Sequence, residues 1–165
     1  MKISHRDIKA VEEVILTMEE VYGKMTVTHG NRHKYDGMDF EYLRKERAVQ
    51  FCMKYHLEEA LQDFTCNITI KVNTPVVVHL FVVDKECQKL NKRDMIIFHS
   101  IVLKLLFVGK RARPYIMVAI AFLTTRVSKS DEDDWKKLER RMSYIHNTLD
   151  LKLTLSTESM IIVKR

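Results

Sequence analysis

Between Asp7 and Tyr22 the apolar residues recur at helical spacing: Ile8, Val11, Val14, Ile15, Met18, Val21 and Tyr22. Lys9, Glu12, Glu13, Glu19 and Glu20 fill the opposite face, and Gly23 stands at the stop position. The pattern predicts an amphipathic helix lying on another element. The period then drops to two. Met25 and Val27 alternate with Thr26 and Thr28; Met38, Phe40 and Tyr42 with Asp39 and Glu41; Val49, Phe51 and Met53 with Gln50, Cys52 and Lys54. The connections "HGNRH" and "RKER" are short and polar, so the three runs predict an antiparallel meander with one buried face.

After Lys54 the helical period returns. Leu57, Ala60, Leu61 and Phe64 share a face, and "CNITIKVNTP" reads as a loop. Asn91 is placed to cap a second helix, with Asp94 three residues on. Ile97, Ile101, Lys104, Leu105 and Val108 form one stripe of that helix, interrupted by its lysine. Arg113-Pro114 ends it, because the residue before proline avoids the helical region. Pro114 opens a third helix, Tyr115 to about Val127. Ser130 is the expected N-cap of the next, whose buried face is Trp135, Leu138, Met142 and Ile145. The chain closes on "LDLKLTLS", a half-buried strand by its alternating leucines, with Met160–Val163 expected to pair with it across "STES". A helical block beside a small antiparallel sheet makes the expected fold class α+β.

Composition narrows the function classes. At 165 residues, 46% hydrophobic and 30% charged, the chain is globular rather than disordered. Four glycines and two prolines leave no flexible linker. The net charge of +6, with a sequence pI near 9.2, suits an anionic partner. Seven Lys or Arg residues stand between Lys89 and Arg113 against one acid, Asp94. Cys52, Cys66 and Cys87 are odd in number and lack metal-ligand spacing, which fits a reducing compartment. "MKISHRDIKA" lacks the apolar core of a signal peptide, and the longest apolar runs are too short to span a bilayer. The expected setting is intracellular, cytoplasmic or nuclear, with no membrane.

Four consecutive acids, Asp131 to Asp134, raise the question of a two-metal site. With Ser130 as cap they fall in the first helical turn, where negative charge is favourable. Glu132 and Asp133 also precede Lys136 and Lys137 by four, the stabilising order. Every acid but Asp134 thus has a helical role, and no glycine or turn gathers the oxygens into a metal site. His29 and His33 flank a turn with no third ligand nearby. No serine elbow or glycine-rich phosphate loop is present. What remains is basic: Lys110, Arg111 and Arg113 at a helix end, and Lys136, Lys137, Arg140 and Arg141 on a helix face expected to point away from the buried stripe. Both sets are candidates for phosphate contact, with helix-end carbonyls and plain solvation as the rival readings.

"HSIVLKLLFVGKRARPYIMVAIAFLTTRVSKSDEDDWKKLERRMSYI" resembles a segment of copia-type retrotransposon reverse transcriptases. That pattern carries an aromatic residue or His before Ser-Ile-Val, a Leu-Leu pair, Arg-Pro, an apolar helix ending in Arg, and a Trp helix rich in Lys and Arg. "KISH" with the first helix, "HKYDGMDFEY" and "NTP" resemble, in the same order, the stretch after the catalytic aspartate hairpin, the Leu-Gly-Met hairpin and the Thr-Pro loop. The chain departs from the pattern at Lys34, Asp36, Tyr115 and residues 146–147.

The resemblance implies that residues 1–53 are the end of a palm, with Gly37 and Met38 at a primer-positioning hairpin. It implies a thumb-like helical subdomain over 54–148 and a lead-in to an RNase H domain over 149–165. The family's paired aspartates would stand just before Lys2 and the RNase H carboxylates after Arg165, so the segment is expected to carry no catalytic residue, metal site or cofactor of its own. Mg²⁺ would serve the intact enzyme. The implied partner is an RNA–DNA hybrid or duplex, together with the rest of a polyprotein. The rival expectations are a repurposed protein-interaction module, or part of an enzyme completed by an upstream finger–palm segment.

Overall fold

The computed structural model describes residues 3, 5–64, 72, 74, 79–84 and 86–157. The chain divides into two compact units, Met1–Gly30 and Asn31–Arg165. The first holds α1 (Ile8–Tyr22). The Asp7 side chain accepts from the Lys9 N–H at its start, and the Gly23 N–H (φ 80°) donates to the Glu19 carbonyl at its end. No residue of α1 is buried, and Ile8, Val14, Val21 and Tyr22 of its apolar stripe are exposed. The strand expected at Met25–Thr28 does not form. The Met25 N–H donates instead to the Glu19 carboxylate at 3.1 Å, and alternation without a partner strand leaves a ladder unmade.

The second unit carries a four-stranded antiparallel sheet in the order β1 (Arg32–Tyr35), β2 (Met38–Leu43), β3 (Ala48–Cys52), β4 (Leu153–Ser156). The first strand therefore lies partly in the stretch expected to be a connection. Its position follows from turn chemistry. Asp36 (φ 49°) and Gly37 (φ 74°) both take positive φ, as the mirror-image two-residue hairpin turn requires, and Tyr35 pairs with Met38 across them. The register sets His33 opposite Phe40, Phe40 opposite Phe51, and Phe51 opposite Leu153, so the apolar positions share one face. Met53 leaves the ladder and is buried in the helical core. The closing strand pairs with β3, although about 100 residues separate them in sequence. The hairpin expected from Met160–Val163 and most of the "CNITIKVNTP" loop lie outside the described residues.

The helices are α2 (Lys54–Asp63), α3 (Lys92–Arg111), α4 (Met117–Arg126) and α5 (Glu132–Asn147). The Asn91 side chain accepts from the Asp94 N–H, as its spacing predicts. A 3₁₀ turn, Pro114–Ile116, opens the proline-led segment before α4, and a second, Val127–Lys129, follows it. Phe98, Ile101, Leu105 and Val108 of α3 form the centre of one core with Leu57 and Ala60 of α2, Ile120 and Leu123 of α4, and Leu138, Met142 and Ile145 of α5. Lys104, the interruption in the α3 stripe, reaches Glu59 and Asp63 of α2, each at 2.6 Å. No helix among the described residues is long and apolar enough to cross a membrane. The fold is α+β.

Candidate nucleic-acid interface

The acid run proves to be a helix start, one residue later than expected. Asp131, not Ser130, is the N-cap: its side chain accepts from the Asp134 N–H, and the Asp134 carboxylate accepts from the Asp131 N–H. Asp134, the acid left without a role by the sequence, is the most buried of the four. Arg126 at the end of α4 donates to Asp134 at 2.8 Å and to Asp131 at 2.7 Å. Burial pushes the Asp134 carboxyl up from its ordinary range, with the Arg126 bond pulling the other way. A guanidinium thus occupies the two innermost carboxylates. Among the described residues no three His, Cys, Asp or Glu side chains are placed to hold a metal.

The first basic set does not present one surface. Lys110 is exposed. Arg111 lies 3.7 Å over the Phe107 ring and donates from two nitrogens to Asp36, at 2.8 and 3.1 Å. It therefore ties the β1–β2 turn to α3. Gly37 at that turn suits the close approach of α2, since a Cβ there would stand 2.2 Å from His56 Nε2. Met38, beside it, packs against the helical core. Arg113 is 2% exposed. It donates to the carbonyls of Thr148 and Leu149 at 2.7 and 2.8 Å, to Thr148 Oγ1, and to the Tyr115 hydroxyl. It caps the C-terminus of α5 rather than that of its own helix, so its expected phosphate contact gives way to a structural role.

The second set is split as well, because the expectation that its face points outward fails for half of it. The buried band of α5 runs through Asp134, Lys137, Leu138, Arg141, Met142 and Ile145, which is wider than the four apolar residues alone. Lys137 (6% exposed) binds Asp133 at 2.7 Å and the Val82 carbonyl, and lies over the Phe122 ring. Arg141 is 0% exposed, and its guanidinium nitrogens find no hydrogen-bond partner among the described residues. Burial, with Arg140 adding to it, lowers its pKa to about 10. Lys136 is exposed and Arg140 half-buried. Sequence spacing held the signal: 137 and 141 fall three residues after 134 and 138, inside the stripe, where residue type argued against burial.

Other exposed cations emerge that the candidate sets left out. Lys89, Lys92, Arg93 and Lys129 flank the two ends of α3 and α4 and, like Lys110 and Lys136, make no ion pair with a described residue. Lys89, Lys92 and Arg93 were legible as part of the Lys89–Arg113 charge excess. Compared with protein families, curated proteins and solved structures, the chain matches none.

Proposed function

We propose that this chain binds the sugar–phosphate backbone of a duplex or RNA–DNA hybrid, in the manner of the thumb and palm end of the copia-type reverse transcriptases it resembles. It supplies no catalytic carboxylate in this reading. The observation that carries the proposal is the charge left after the ion pairs are made: Lys89, Lys92, Arg93, Lys110, Lys129 and Lys136 are exposed and make no ion pair with a described residue. Exposed cations suit backbone contact, which positions a duplex without reading its sequence. The acidic run is unsuited to Mg²⁺, because Arg126 already holds Asp131 and Asp134.

The test is a salt titration of a labelled RNA–DNA hybrid by fluorescence anisotropy. Each phosphate contact contributes nearly one unit to the slope of log K against log salt, so Lys110→Ala with Lys136→Ala lowers the slope by roughly two. Arg113→Ala is expected to disturb folding rather than the slope. Absence of binding at low salt overturns the proposal.

A second reading rests on a separate observation. Ile96, 70% exposed, and Leu103 stand seven residues apart on α3, with His99 between them, and Val118 is exposed on α4. An apolar stripe of this kind suits a protein partner, and Leu103→Asp combined with Ile96→Asp would abolish such an interaction while leaving hybrid binding intact.

A further inference from the structure

The three cations at the end of α3 meet different fates. Lys110 stays in solvent, Arg113 is spent on the carbonyls of Thr148 and Leu149, and Arg111 meets Asp36 of the β1–β2 turn. The Arg111 pair is open to water, its two side chains 30% and 51% exposed. Nε and Nη2 of Arg111 converge on one oxygen, Asp36 Oδ2, at 3.1 and 2.8 Å. The guanidinium does not depend on that oxygen for its placement. It lies 3.7 Å over the Phe107 ring, and Nη1 stands 3.5 Å from the Phe107 carbonyl one turn back. Its outer edge is therefore a preformed fork, a geometry that takes a carboxylate or a phosphate alike.

The turn itself does not call for this acid. Asp36 (φ 49°) and Gly37 (φ 74°) form a two-residue turn in which Asn-Gly serves as well as Asp-Gly. Gly37 against His56, and Met38 packed on the helical core, seat the turn independently of the ion pair. A pair so exposed adds little stability, because water solvates both groups and salt screens them.

We infer that Asp36 is an internal competitor for phosphate: its carboxylate occupies the Arg111 fork and holds down the affinity of this surface for a nucleic-acid backbone. The inference rests on the duplex-binding reading and adds a control to it. Carboxylate and phosphate are alternative acceptors for one fork, so the closed pair withholds a cation next to the exposed Lys110. It also sets a negative charge where the backbone would approach.

The experiment is the salt titration of a labelled RNA–DNA hybrid by fluorescence anisotropy, on the full chain and on Asp36→Asn and Asp36→Gly. Both replacements suit a positive φ, and glycine leaves Arg111 no side-chain acceptor there. Releasing one cation to one phosphate adds nearly one unit to the slope of log K against log salt, which at about 0.1 M salt is roughly an eightfold gain in affinity. Adding Arg111→Ala to Asp36→Asn is expected to return slope and affinity to the wild-type values, since neither charge is then present. If wild type binds and neither single variant gains, the inference is overturned and the duplex reading stands. A gain that persists in the double variant also overturns it, because the acid then acts through its field and not through Arg111. Absence of binding by all of these proteins at low salt overturns the duplex reading itself, and the inference with it.

Discussion

Replacing Arg141 by Met is expected to stabilise the protein. The wild-type guanidinium is fully buried on the helix face of Leu138, Met142 and Ile145, with no hydrogen-bond partner among the described residues on any nitrogen. Its pKa is lowered to about 10 by burial, with Arg140 adding repulsion. At 1.36 kcal/mol per pH unit, that displacement from the usual arginine range is worth roughly 3 kcal/mol against folding at neutral pH. Met has a comparable unbranched stem and no charge, and apolar replacement of buried charge elsewhere yields about 1–4 kcal/mol. The expected gain of roughly 3 kcal/mol corresponds to a rise of about 6–12 °C in the melting midpoint for a chain of this size. Urea unfolding followed by far-ultraviolet circular dichroism gives the free energy directly. The pH dependence supplies a second check. Below about pH 10 the arginine is protonated in both states and its full cost is present. As pH rises through about 10, the folded chain loses the proton before the unfolded chain does, the cost is relieved, and the gap to Arg141→Met narrows. A variant less stable than wild type by 1 kcal/mol or more refutes the reasoning, since it shows that the guanidinium gains more in the fold than burial costs it.

Removing Asp134 by Asp134→Ala leaves Arg126 with Asp131 alone and breaks the capping box; a loss of about 3–5 kcal/mol is expected in urea unfolding, and a loss below 1 kcal/mol means the network is solvent-relaxed. Trp135, stacked on Phe64 at 5.4 Å, is the single tryptophan; Trp135→Ala is expected to cost about 3 kcal/mol by circular dichroism, and a neutral effect places the ring outside the core. Gly37→Ala forces a Cβ toward His56 at a positive φ, with an expected loss of about 1–2 kcal/mol; Gly37→Ala with His56→Ala is expected to recover the steric part and keep the backbone part.

Local sequence information carried further for helices than for strands. Asn91 with Asp94, the apolar faces of α2 and α3, and the Pro114 start are set by neighbours within one or two turns, so spacing alone located them. The Asp131 cap was displaced by one residue because serine and aspartate both accept the N3 N–H; the choice fell to Asp131 once Arg126 could bind it together with Asp134. The same spacing rule placed Lys137 and Arg141 inside the buried band, yet their charge argued for the outside. Only the packed structure shows that Lys137 finds Asp133 and the Val82 carbonyl there, and that Arg141 finds neither.

Strand pairing was legible only where chemistry was local. Alternation marked β2 and β3, and Asp36-Gly37 held the signal for the hairpin that starts at Arg32. Alternation alone did not make Met25–Thr28 a strand, because a strand exists by the hydrogen bonds of a neighbour. The leucines before Ser156 announced a strand but not its partner, β3, which all the helices from α2 to α5 separate from it in sequence. Likewise the sequence by itself determined an excess of cations, while tertiary contacts decided which remain available. Arg113 is consumed by the carbonyls at the end of α5 and Arg111 by Asp36, whereas Lys110 and Lys136 stay in solvent. The physical reason is range: helix caps and faces are fixed within a few residues, but the partner of a charge or a strand is supplied by whatever distant segment folding brings beside it.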